Sequence, residues 1–199
     1  MCGRYAFSDI DDIYEARRIL EEVAQRLGDE DAASVKTGEV FPTERAAVIA
    51  QRPNGTCATV MQWGYPLNGK LLINARSETL MEKSLFRKSL SGGRCLVPCT
   101  GFFEWKGEGR QKQKFLIRPE GVRFFYLAGL FSRFAVNGHT SDRFVIVTAP
   151  ASEAMRGIHP RMPLIVPESD TALWLGNSRA EESIEKIYSL TNRLELQAV

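Results

Sequence analysis

Apolar residues recur along this chain with two periods, and the switches between them outline its elements. Ile13, Ala16, Leu20, Val23 and Leu27 repeat at helical spacing, which predicts an amphipathic helix with a solvated charged face. Ser8 is placed to cap it, Asp9 and Asp11 to complement its dipole, and Gly28 to stop it. Tyr5–Phe7 before it reads as a short strand, and the polar run from Gly28 to Gly38 after it as a loop. Ala46–Gln51 and Thr56–Trp63 flank Pro53-Asn54-Gly55 and predict a hairpin. Leu71-Leu72-Ile73 predicts a buried strand that runs into Asn74-Ala75-Arg76-Ser77-Glu78, where Ser77 caps a helix reaching about Leu90.

Arg94 to Lys106 reads as a strand, a kink at Pro98 and a second strand. Lys114–Arg118, Phe124–Phe131 and Arg143–Thr148 predict further strands, the last two apolar on both faces and therefore central. A helical segment is expected over Ala151–Gly157 and a strand at Leu164-Ile165-Val166. Two amphipathic helices and an aperiodic tail follow from Ser169. Many short strands with few helices between them predict an α+β fold with a curled, largely antiparallel, barrel-like β core flanked by helices. At 199 residues the expectation is a single domain over 1–199.

Composition narrows the class. Hydrophobic residues make up 44% and charged residues 25%, as in soluble globular chains, and no stretch is apolar enough to span a bilayer. The first residues lack a secretory pattern, so a cytoplasmic location is the expectation. Cys2, Cys57, Cys95 and Cys99 then read as free thiols. Cys95 and Cys99 have no second pair, and the histidines number two, so no metal site is expected. The net charge of +2 permits nucleic-acid binding without arguing for it.

The densest candidate chemistry lies at the start, Met1-Cys2-Gly3-Arg4. A cysteine that becomes the first residue offers an α-amine and a thiol on one carbon frame, both with a reactive fraction near neutrality. Such a 1,2-aminothiol transfers acyl groups through sulfur or captures an aldehyde as an imine that the thiol closes to a thiazolidine, an intramolecular step. Equally, Cys2 could pack as a small hydrophobe. Glu104, between Phe102-Phe103 and Trp105, is a carboxylate in apolar company and so a proton-transfer candidate; the alternative is a solvent-facing strand residue. Pro160 holds His159 at a rigid corner, where an imidazole is a candidate partner for Cys2. Asn74 and Arg76 stand at a strand-to-helix junction, as ligand groups or as a turn residue and a surface charge.

Taken in order, five blocks resemble the SRAP family, the SOS response-associated peptidase proteins that shield abasic sites in single-stranded DNA. They are Met1-Cys2-Gly3-Arg4-Tyr5 with Trp63-Gly64, Asn74-Ala75-Arg76-Ser77-Glu78, Arg94-Cys95-Leu96-Val97-Pro98, Gly101-Phe102-Phe103-Glu104-Trp105, and His159-Pro160-Arg161-Met162-Pro163. The resemblance covers nearly the whole chain. It implies that Met1 is removed and that Cys2 forms a thiazolidine crosslink with the ring-opened abasic sugar. Asn74 would orient the reacting groups, Glu104 would shuttle protons, and His159 would assist sugar opening and reversal. Arg4, Arg76 and Arg161 would hold phosphates, while Trp63 and Trp105 would pack on sugars or bases. No cofactor is implied, lyase and autopeptidase activities could accompany the crosslinking, and the expected partner is abasic single-stranded DNA bound by a monomer. The rival classes are an N-terminal-nucleophile hydrolase or amidotransferase and a non-catalytic single-strand-binding module.

Overall fold

The structure is a computed structural model that describes residues 2–8, 13–52, 54–107, 112–176, 179–190 and 193–199. In chain order, β1 is Tyr5–Phe7, α1 Tyr14–Leu27, α2 Asp29–Ala33, β2 Gly38–Val40, β3 Arg45–Arg52 and β4 Gly55–Trp63. Next come β5 (Tyr65–Leu67), β6 (Lys70–Leu72), β7 (Asn74–Arg76), a 3-10 turn at Ser77–Thr79, and α3 (Ser84–Gly92). β8 is Arg94–Cys99, β9 Gly101–Lys106, β10 Gln113–Pro119, β11 Phe125–Val136 and β12 His139–Pro150. The chain ends with α4 (Glu153–Arg156), β13 (Arg161–Pro163), β14 (Ile165–Val166), a second 3-10 turn (Glu168–Asp170), α5 (Thr171–Leu175), α6 (Ala180–Leu190) and β15 (Leu194–Ala198).

Five strands close on themselves in the order β12-β4-β3-β8-β11 and back to β12, giving the barrel that the strand pattern predicts. Four of those pairings are antiparallel; β12–β4 is parallel and joins only Arg143 to Gln62 and Phe144 to Trp63. β7 adds to the far end of β12 in parallel, and β13 pairs with β12 through Thr148↔Pro163 and its neighbours. A second sheet, β15-β10-β9-β1-β2, lies beside the barrel. The chain passes between them at Thr100, where β8 ends and β9 begins. Aromatic and branched side chains fill the interior, Trp63, Tyr5, Phe125, Phe144, Leu96 and Trp174 among the largest fully buried. The helix α1 presents Ala16, Ile19 and Val23 to this core, and Glu22 accepts a hydrogen bond from the Ala58 N–H at 2.8 Å.

Several local expectations are corrected. The first helix starts at Tyr14, with Ile13 at its N-cap in place of Ser8; Asp9 to Asp12 lie outside the described residues. The expected loop from Gly28 contains α2. The expected helix from Ser77 is broken into the 3-10 turn and α3, and Asn74–Arg76 before it is a strand paired with β12. β8 runs straight through Pro98: its pairing with β3 stops at Leu96, so Pro98 sits where no donor is required on that side. The tail is not aperiodic but forms β15, which pairs with β10. The longest hairpin, β11–β12, turns at Asn137-Gly138, both at positive φ (52° and 79°), which suits the right-handed twist of its strands.

Candidate active site

The N-terminal residues reach the site by register. β1 pairs with β9 through Tyr5↔Phe102 and Ala6↔Gly101, and the Phe103 N–H donates to the Arg4 carbonyl at 2.9 Å. Continued outward, this antiparallel register sets residue 3 across from Glu104. Cys2 is fully buried, with its Sγ 3.7 Å from the Arg4 carbonyl. From the other side, β7 begins with Asn74, whose Nδ2 donates to the Cys2 carbonyl at 2.9 Å. The Asn74 amide is buried, and its Oδ1 has no hydrogen-bond partner among the described residues. An acceptor of that kind next to Cys2 is suited to an ammonium or amine N–H.

Glu104 is 4% exposed and close enough to Cys2 to act on it electrostatically. Burial, reinforced by the Glu104 charge, pushes the Cys2 thiol up to about 12. With Met1 in place this shift disfavours a resting thiolate, so the sulfur gains nucleophilicity as its proton is passed on. A carboxylate beside it is the group to take that proton.

His159 stands at the corner between α4 and β13. Ala151 N–H donates to the Pro160 carbonyl and Leu164 N–H to the Val147 carbonyl, so Arg161 falls in a non-hydrogen-bonded pair with Pro150. Its N–H consequently points away from β12, and it donates to His159 Nδ1 at 3.0 Å. Nδ1 thus faces a backbone donor of residue 161, a contact that the Nε2–H tautomer satisfies. The Arg161 carbonyl lies 3.0 Å from the same Nδ1 and accepts from it in the Nδ1–H tautomer.

A family model described as SOS response associated peptidase (SRAP) matches residues 1–199. The chain belongs to the SRAP family. Relatives include the abasic site processing protein YobE of Bacillus subtilis, 31% identical over 185 residues, covering 88% of this chain and 82% of that protein. Another is the abasic site processing protein YedK of Escherichia coli, 30% identical over 178 residues, with 88% and 79% covered. Among solved structures, a protein from Bacteroides thetaiotaomicron superposes with a TM-score of 0.80 at 22% identity, covering 100% of this chain and 92% of that one. That likeness concerns the fold.

Within this SRAP chain the cationic and aromatic candidates divide. The Arg4 guanidinium lies 4.1 Å from the Phe41 ring centroid and 4.9 Å from that of Trp105, and its Nη1 donates to Glu39 at 3.1 Å. Glu39 also pairs with Lys114, and the two cations, Lys114 first, hold its carboxyl below the usual range. Phe41 and Glu39, which no sequence motif singles out, thus belong to the same edge as Trp105. Arg76 is exposed, and no carboxylate pairs with it among the described residues. Trp63 is corrected outright: it is 0% exposed, its Nε1–H donates to the Ile73 carbonyl at 2.9 Å, and its ring packs on Tyr5 and Phe144. It is a core residue and has no face for a sugar or base. Arg161 is also engaged, by Glu78 and Thr148.

Among the described residues, no cluster of three or more His, Cys, Asp or Glu groups is arranged to hold a metal, and no helix is long and apolar enough to cross a membrane.

Proposed function

We propose that this chain captures abasic sites in single-stranded DNA through Cys2. With Met1 removed, the α-amine of Cys2 condenses with the C1′ aldehyde of the ring-opened sugar, releasing one water and leaving an imine. The thiol then adds across the C=N bond: a C–S bond forms, the S–H proton passes to nitrogen by way of Glu104, and a thiazolidine closes. Asn74 holds the Cys2 peptide and offers its Oδ1 to the amine, and His159 exchanges protons with the sugar hydroxyl. Single strands are the substrate because a duplex keeps the sugar within the stacked helix.

The observation that carries this reading is the meeting of Cys2, Asn74 and Glu104 in one buried place, and burial that raises the thiol favours the same reading. A thiolate-dependent hydrolase needs the sulfur charged at the outset. An imine route needs only the amine first and accepts a neutral thiol second. The naming of relatives as abasic site processing proteins agrees with the aldehyde route. Arg76 and the Arg4–Phe41–Trp105 edge contact the strand on either side of the gap.

The test is a denaturing gel of Met-free protein incubated with a single strand bearing one abasic site. A retarded band is expected with the wild type and none with Cys2→Ala, nor with undamaged DNA. Equal retardation of Cys2→Ala, or none with the wild type, refutes the reading.

A further inference from the structure

We infer that Glu39 is a built-in competitor for the strand's phosphates, seated on a two-cation clasp of Arg4 and Lys114. Lys114 is on this view a further strand-binding residue, which the carboxylate holds in check. The path of the strand past this end of the sheet rests on the proposed function, whereas binding of undamaged DNA tests the clasp apart from the chemistry.

Four neighbouring strands bring the clasp together. Arg4 stands just before β1, Glu39 is the middle residue of β2, Lys114 lies in β10, and β9 runs between β1 and β10. Along β9, Phe103 and Trp105 flank Glu104 and so take the opposite face of the sheet from it. Lys114 is in register with Trp105, and its Nζ lies 4.1 Å from the Phe103 ring centroid. The Arg4 guanidinium lies against Trp105 and Phe41 on the same face. From β2, Glu39 reaches over to accept from Arg4 Nη1 through Oε2, at 3.1 Å, and from Lys114 Nζ through Oε1.

The carboxylate thus gives one oxygen to each cation. A strand phosphate presents two unbridged oxygens, also sharing one negative charge, to the same pair of donors, so the seat that Glu39 fills suits a phosphate as well. The fold leaves Arg4 incompletely used: its buried Nε has no hydrogen-bond partner among the described residues. Rings beneath both cations keep them in place when the carboxylate leaves. The side chains of Arg4, Lys114 and Glu39 are 28%, 23% and 36% exposed, so water reaches the pairs and they are weak enough to exchange. Lys114 and Arg4 hold the Glu39 carboxyl below its usual range, so it competes as an anion at neutral pH. With the carboxylate seated, one of the two positive charges is cancelled; with it turned aside, both face the strand. Undamaged strands therefore meet a weakened clasp, and lasting capture depends on an aldehyde reaching Cys2.

Fluorescence anisotropy of an undamaged single-stranded oligonucleotide reads the clasp directly. Glu39→Gln, which keeps the side-chain shape, should bind roughly 3- to 10-fold more tightly than wild type at ~50 mM salt, a gain that shrinks about 2- to 3-fold by ~200 mM. Lys114→Gln should weaken the Glu39→Gln protein more than it weakens the wild type, because only there is the ammonium unmasked. With abasic single-stranded DNA, Glu39→Gln should act on the DNA concentration for half-maximal crosslinking, which falls, rather than on the rate at saturation.

Glu39→Ala removes the same charge and serves if the glutamine variant does not fold. Unchanged or weaker binding on loss of the carboxylate overturns the inference, as does an equal loss from Lys114→Gln in both backgrounds. A crosslinking change confined to the rate at saturation overturns it too. If wild-type protein forms no crosslink, the proposed function fails, and the anisotropy series still decides the clasp.

Discussion

The ionisation of Cys2 is the feature on which the order of chemical steps depends, and it is measurable without DNA. Burial and the nearby Glu104 charge raise the thiol from an ordinary 9.0 to about 12. At pH 8 the folded protein therefore holds on the order of 1,000-fold less thiolate at this position than an exposed cysteine does. Alkylation goes through the thiolate and slows in proportion. Iodoacetamide labelling of the chain that retains Met1, followed by mass mapping of the Cys2 peptide, separates this thiol from Cys95 and Cys99, which burial also raises. The Cys2 labelling rate should climb about tenfold per pH unit through pH ~9 and on towards ~11, whereas an exposed thiol levels off near ~9. A plateau at or below the ordinary thiol value of 9.0 refutes the argument that the sulfur reacts second and neutral. The same shift has a stability consequence of fixed sign. The folded state holds this proton more tightly than the unfolded chain, so its contribution is complete below 9.0 and is lost as pH rises towards about 12.

Trp63→Ala should cost about 3–5 kcal/mol, the range for emptying a buried aromatic site, seen as a lower melting temperature with lesion selectivity retained by the folded fraction. Glu39→Gln releases Arg4 and Lys114 from their shared carboxylate. Affinity for single-stranded DNA should rise, and the log–log salt slope should steepen by about 0.7 for each additional phosphate neutralised; an unchanged slope in a titration by anisotropy contradicts this. Gly93→Ala would set a Cβ 2.3 Å from the Phe131 carbonyl, a backbone atom that cannot step aside. A loss of about 1–3 kcal/mol by urea denaturation is expected, and a neutral effect contradicts so close an approach.

How much of this is readable from the chain depends on how local each signal is. The Asn54-Gly55 hairpin and the paired apolar strands are written in adjacent residues, and the fold keeps them; Cys2, Asn74 and Glu104, each marked by a local block, meet in it. Trp63 misleads because an aromatic ending a strand beside Gly64 looks the same whether it faces solvent or a neighbouring barrel strand; Phe144, which stacks on it at 6.2 Å, is remote in sequence. The partner of Arg161 is illegible for a like reason: the carboxylate paired with it stands 83 residues away. β15 alternates as Leu194-Glu195-Leu196-Gln197-Ala198, a legible strand pattern, yet it finds its partner only when β10 is in place. The closure of the barrel through a parallel pairing at Arg143↔Gln62 and Phe144↔Trp63 has no local signature at all.

The central claim, that the first amine and the adjacent thiol of the mature chain together take up one aldehyde, is tested most directly by intact mass. Met-free protein incubated with a single strand carrying one abasic site should give a species with the mass of protein plus oligonucleotide less one water, stable to denaturation without a reductant. With Cys2→Ser, the same species should form as an open imine and fall apart on denaturation unless reduced. A wild-type adduct that needs a reductant to survive, or no adduct, contradicts the account.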